Sequence, residues 1–108
     1  IIGMSSHGNL TDQNYRDEAT KIALSHPNVF GGVSQNKIPN ELLLFTPGVN
    51  LAHTGDGKGQ QYNTPEHAFT KLESDFIIVG RGIYKADDAE QSALTYKIAG
   101  WNAYEASL

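Results

Sequence analysis

The sequence predicts an α/β fold in which a parallel sheet lies beneath helices. Three observations carry this. Apolar residues fall in short continuous runs, 29–33 (VFGGV), 42–45 (LLLF) and 76–79 (FIIV), with 1–4 (IIGM) as a fourth. Continuous rather than alternating runs of this length fit strands of a parallel sheet covered on both faces. Between and after them apolar residues recur at helical spacing, and the two kinds of segment alternate, as they do when parallel strands are joined by helices.

Taken in order, strand 1–4 is followed by a helix over 12–25. Tyr15, Ala19, Ile22 and Ala23 share one face of it, Thr11 or Asp12 can cap its start, and Pro27 follows its end. Run 29–33 is the second strand. Segment 34–41 is too short for a standard helix of about 11 residues, so at most one turn fits before the third strand, 42–45. Residues 47–63 are a long connection carrying Gly48, Gly55, Gly57 and Gly59. Loops beyond about 12–15 residues without structure of their own are usually functional or disordered. Its position after the carboxyl end of a parallel strand favours function, because ligands of α/β folds bind there. A short helix over 64–72 begins with Pro65 in the favoured first position. After strand 76–79, a last helix over 87–108 carries the stripe Leu94, Ile98, Trp101 and Leu108, with Asp87 or Asp88 as its cap. The expected order is β-α-β-(short)-β-loop-α-β-α, with 1–108 a single segment.

Composition narrows the function. The chain has 108 residues with 8 Lys and Arg against 12 Asp and Glu, a net charge of -4. This argues against nucleic acid as a partner, since such affinity rests on clustered cations. There is no cysteine, so disulfides, thiolate metal sites and a cysteine nucleophile are excluded, which suits a cytoplasmic protein. No apolar run approaches the roughly 20 residues of a membrane span, so no membrane partner is expected. His7, His26, His53 and His67 lack metal-ligand spacing and read as surface residues. Asp12, Asp17, Glu18, Asp87, Asp88 and Glu90 cluster where first helical turns are expected, and capping explains them without catalysis. The opening Ile1-Ile2-Gly3 reads like the tail of a buried strand, so a fragment or processed chain is expected. It matches the start of an activated trypsin-like protease, yet nothing after it supplies such a framework.

Three stretches carry candidate chemistry. In 77–82 (IIVGRG) a strand delivers Gly80, Arg81 and Gly82 to one point. Glycines allow close backbone approach and the guanidinium gives forked charge-assisted bonds, a combination suited to a phosphate dianion. A turn with a solvated arginine is the other reading of the same residues. In 55–62 (GDGKGQQY) flexible glycines precede amide and phenol donors, as in a loop that folds over a polar ligand or in a plain surface loop. It lacks the Gly-Lys-Ser/Thr ending of a P-loop. In 4–8 (MSSHG), Ser5 can bond a ligand or the segment can simply turn.

In this order, Met4-Ser5-Ser6-x-Gly8-x-Leu10, Thr46-Pro47-Gly48-Val49, Gly55-Asp56-x-x-Gly59-Gln60-Gln61-Tyr62, Ile77-Ile78-Val79-Gly80-Arg81-Gly82-Ile83 and Ala99-Gly100-Trp101-Asn102-Ala103-Tyr104, the chain resembles the orotidine 5'-phosphate decarboxylase family. The likeness is to the carboxyl-terminal half of the eukaryotic form, nearly end to end. Tyr62-Asn63-Thr64-Pro65 is closer to the decarboxylase domain of animal-type UMP synthases than to the fungal enzyme. The resemblance implies the last four strands of a TIM (β/α)8 barrel. A whole barrel needs about 250 residues. It further implies conversion of orotidine 5'-monophosphate to UMP and CO2 without cofactor or metal, a homodimer, and the remaining amino-terminal half of the barrel as a partner.

By the same resemblance, Ser5 bonds the pyrimidine edge and Pro47 lines the pocket near the base. Gln60 bridges phosphate and base, Tyr62 contacts phosphate, and Gly80 and Arg81 form the phosphate site. The family's lysine and its Asp-x-Lys-x-x-Asp network are absent from the chain, so no catalytic residue is assigned and the segment alone is expected to be inactive. Gly3 stands where relatives carry Glu. Two other readings remain: another phosphate-binding barrel decarboxylase, against which Ser5 and Gln60-Gln61-Tyr62 speak, and a non-catalytic half-barrel that binds nucleotide phosphate.

Overall fold

The computed structural model describes residues 1–5, 13–51 and 63–108. Its elements follow the expected order with one added short helix, α3: β1 (Ile2–Ser5), α1 (Gln13–Ser25), β2 (Gly31–Ser34), β3 (Leu43–Thr46), α2 (Pro65–Thr70), β4 (Phe76–Ile77), α3 (Arg81–Tyr84) and α4 (Ala89–Ala106). The strands form one sheet in the order β1-β2-β3-β4. Every pairing is parallel, with Gly32 beside Ile2, Leu44 beside Gly32 and Phe76 beside Phe45. A sheet whose strands follow chain order without reversal is wound one way, like the wall of a barrel. A doubly wound sheet reverses its order partway.

The helix starts follow local chemistry. Thr64 is extended and accepts a hydrogen bond from the His67 N–H at 3.1 Å, with Pro65 at the first helical position of α2. Asp88 does the same for α4, accepting from the Gln91 N–H at 3.0 Å. The two candidates for the cap of α1, Thr11 and Asp12, lie outside the described residues. Asp17 and Glu18 sit beyond the first turn of α1, which carries no acidic residue, so their capping role is corrected; Asp17 instead accepts from the Gln13 amide at 2.8 Å.

Helices cover one face of the sheet. Gly32 faces them: a Cβ there would stand 2.8 Å from the Met4 sulfur, and Met4 packs with Ala19, Ala23 and Leu42 in the core beneath α1. On the same face Leu44 and Thr46 are buried, and Ile77 reaches Gly100 of α4. The opposite face carries Phe45 stacked on Phe76, ring centroids 4.6 Å apart, with Leu43 and Ile78. Leu43, Phe76 and Ile78 are 40%, 48% and 42% exposed. The expectation that the runs are covered on both faces is therefore corrected among the described residues, where only the helix side is covered.

The predicted helix stripes are corrected too. In α1 only Ala19 and Ala23 are buried, while Tyr15 and Ile22 are exposed. In α4 the buried residues are Tyr96, Gly100 and Ala103; Leu94, Ile98, Trp101 and Leu108 point away from that face and are exposed. The buried set contains small residues because α4 packs closely on α2: a Cβ at Gly100 would stand 3.1 Å from the Phe69 ring. Among the described residues no helix is long and apolar enough to cross a membrane.

Candidate functional site

The carboxyl ends of β3 and β4 lie side by side. The Ile78 N–H donates to the Thr46 carbonyl at 2.8 Å, and the Val49 N–H approaches the Ile78 carbonyl at 3.5 Å. Pro47, the residue after β3, is buried. Gly48 has a φ of 65°, in the left-handed region that favours glycine, and turns the chain off the strand. Just beyond, the two flanks of segment 52–62 are tied to each other. The Asn63 N–H donates to the Gly48 carbonyl at 2.8 Å and the Asn50 N–H donates to the Asn63 carbonyl at 2.8 Å, with Val49 and Asn63 forming a parallel bridge. Asn63 enters the sequence reading only within the Tyr62-Asn63-Thr64-Pro65 resemblance, which says nothing of these bonds.

From β4 the chain reaches Gly80 and Arg81, both exposed. Gly80 precedes α3, and its carbonyl accepts from the N–H groups of Ile83 at 2.9 Å and Tyr84 at 3.1 Å. A Cβ on Gly80 would meet only the Tyr84 ring, at 3.6 Å, so the backbone here has room beside it. The short helix α3 was not expected, because a single turn beginning at glycine shows no periodicity. Its presence makes the Gly-Arg-Gly segment a strand-to-helix turn and leaves Arg81 at the same end of the sheet as Pro47.

Ser5 ends β1, where it pairs with Ser34 of β2. It is thus at the carboxyl end of the sheet too, two strands away from β3. Gln60 and Tyr62 lie outside the described residues, as do His7 and His53. His26 and His67 are exposed, as expected of surface residues. Of the six candidates the structure places Pro47, Gly80 and Arg81 beyond the carboxyl ends of the neighbouring strands β3 and β4, and Ser5 at the same end of β1. Among the described residues no group of three His, Asp or Glu side chains could hold a metal ion.

A groove of about 770 Å³ lies elsewhere among the described residues. It follows the open side of β4 near that strand's amino end, between Phe69, Phe76, Trp101 and Tyr104. An apolar groove at the end of the strands away from Gly80 suits packing against further structure rather than a polar ligand.

Comparison with known proteins identifies the family. The family model of "Orotidine 5'-phosphate decarboxylase / HUMPS family" matches residues 1–96. Orotidine 5'-phosphate decarboxylase of Phycomyces blakesleeanus is 46% identical over 96% of this chain and 41% of its own length. The Schizosaccharomyces pombe protein of the same name is 38% identical over 100% of the chain and 43% of its own. Uridine 5'-monophosphate synthase of Naegleria gruberi is 42% identical over 97% of the chain and 22% of its own. The chain therefore spans less than half the length of these curated relatives. With a family model matched over residues 1–96 and relatives alike across almost all of its length, the chain belongs to the orotidine 5'-phosphate decarboxylase / HUMPS family.

Proposed function

We propose that this chain is the phosphate- and pyrimidine-binding half of an orotidine 5'-monophosphate decarboxylase, its β1 to β4 being the last four strands of an eight-stranded barrel. The observation that carries the reading is the adjacency of Pro47 and Gly80-Arg81 at the carboxyl ends of neighbouring parallel strands, in a member of this family. A one-sided sheet with an uncovered apolar face supports the barrel, because that face becomes the packed interior when four more strands close the ring. The share of each relative that the chain matches, 41% and 43% for the two decarboxylases, fits half a barrel.

In this reading Arg81 and the Gly80 backbone hold the 5'-phosphate, Pro47 lines the base pocket, and Ser5 bonds the pyrimidine edge from the same rim. Gln60 and Tyr62 join phosphate to base from segment 52–62. The reaction breaks the bond between C6 and the carboxylate. The electron pair stays on C6 until a proton arrives, and CO2 leaves. Binding energy from the phosphate, remote from C6, lowers the barrier when it is realised only in the closed complex. The lysine and aspartate network that stabilises the carbanion and supplies the proton belongs to the amino-terminal half of the barrel. The complete enzyme is a cytoplasmic homodimer.

The test is to join this chain to an amino-terminal half from a relative and assay release of CO2 from orotidine 5'-monophosphate. Turnover in the joined protein and none in the chain alone is expected. Phosphate-dependent UMP binding without turnover in the joined protein would replace this reading with a nucleotide-binding half-barrel.

A further inference from the structure

Tyr96 lies on α4 and none of the roles above uses it, yet it touches both halves of the phosphate rim. It is 5% exposed. Its phenolic oxygen accepts a hydrogen bond from the Leu51 N–H at 3.1 Å. Leu51 directly precedes segment 52–62, and Asn50 beside it is tied to Asn63 on the segment's far side. The other side of the same phenol rests on Gly82. A Cβ at that position would stand 2.9 Å from the Tyr96 Cζ and closer still to its oxygen, so glycine is what lets the ring reach the turn. One helical turn earlier, Ser92 donates from its hydroxyl to the Gly82 carbonyl at 2.7 Å. Thus α4 holds the Gly-Arg-Gly turn at two points, and through one of them it also holds the root of the segment that carries Gln60 and Tyr62.

A buried tyrosine needs a partner for its hydroxyl, but packing alone is served equally by phenylalanine. The hydroxyl adds a fixed distance between the backbone at Leu51 and the backbone at Gly82. We propose that Tyr96 is a positioning residue of the phosphate site, holding the Gly80–Gly82 turn at a set distance from α4 and from the Leu51 backbone. The inference rests on the decarboxylase reading above and deepens it. Tyr96 itself contacts no substrate.

The test uses the complete decarboxylase containing this chain and the variant Tyr96→Phe, with UMP and uridine binding measured by calorimetry. Losing one neutral hydrogen bond that aligns the site predicts a UMP Kd raised about 3–10-fold. Uridine, which has no phosphate, should bind as before, and with orotidine 5'-monophosphate kcat/KM should fall by a similar factor. A purely structural tyrosine would weaken both ligands equally, and that result, or an unchanged UMP affinity, overturns the proposal while leaving the decarboxylase reading intact. If the parent protein binds no UMP, the decarboxylase reading fails and the proposal falls with it.

Discussion

The hydroxyl of Thr46 donates to the hydroxyl oxygen of Ser74 at 2.8 Å, and this buried bond ties β3 to the start of β4. Thr46 is 0% and Ser74 7% exposed, so neither has water as an alternative partner. Ser74 also lies 2.7 Å from the Phe76 carbonyl and 3.1 Å from the Leu44 carbonyl, to one of which its own proton goes. The link stands one residue before Pro47 and fixes the height of the two strands whose ends make the rim. Removing the acceptor strands a donor, and an unsatisfied buried hydroxyl costs about 1–3 kcal/mol. We expect Ser74→Ala to lower the stability of the complete protein by that amount in urea unfolding. Adding Thr46→Val should cost little more, because it removes the stranded donor, and losses that simply add would show that the two hydroxyls are not coupled.

Arg81 is the group on which the phosphate assignment turns. A guanidinium bonded to a dianion contributes more than a neutral hydrogen bond, on the order of 1.5–3 kcal/mol, or roughly 10–150-fold in affinity. Arg81→Ala in the complete enzyme should weaken UMP by this factor and leave uridine nearly unaffected. Arg81 is exposed, so the fold should persist and the unfolding midpoint should stay within experimental error. Equal losses for the two ligands would remove Arg81 from the phosphate role.

How much of this was legible in the sequence divides along physical lines. The order of strands and helices was readable, because continuous apolar runs, Pro65 at a first turn and Asp88 at a cap are local signals. Which face each element buries was not. Apolar periodicity in α4 points to Leu94, Ile98 and Trp101, yet the helix buries Gly100 and Ala103, small residues that carry little hydrophobic weight and matter because they permit close approach to Phe69. At the site, Gly80 and Arg81 were recognisable as residue types at a strand end, and Pro47 only through the family resemblance. Tyr96 was not, since its partners Leu51 and Gly82 are distant in sequence and nothing about a helical tyrosine announces them.

Gly31 and Gly32 are adjacent but should differ in tolerance. A Cβ on Gly31 would stand 2.9 Å from the Leu43 backbone oxygen and 3.0 Å from the Phe45 ring. Backbone in a paired strand cannot withdraw without breaking the ladder. On Gly32 the nearest atoms, at 2.8 and 2.9 Å, are the sulfur and methyl of Met4, the far end of an unbranched and adaptable side chain. Overpacking of this kind costs about 1–3 kcal/mol. We expect Gly31→Ala near the upper end and Gly32→Ala near the lower, with Met4→Ala partly rescuing the latter but not the former. Urea unfolding of the four variants in the complete protein checks the order, and equal costs at the two glycines would contradict it.

The last expectation concerns the chain by itself. Its sheet exposes Leu43, Phe76 and Ile78 on the face without helices, and α4 exposes Trp101 at 58% and Ile98 at 51%. The outer strands β1 and β4 each have one unpaired side among the described residues. Open strand edges next to apolar surface are templates for association with other chains. At micromolar concentration the isolated 108 residues should therefore sediment as a concentration-dependent mixture and bind a hydrophobic dye. Co-expression with an amino-terminal half-barrel should suppress both, because four more strands would pair the edges and fill the inner face. A sharp two-state unfolding transition of a monomer that binds no dye would show instead that these surfaces are stable in water, and would count against the half-barrel reading of the fold.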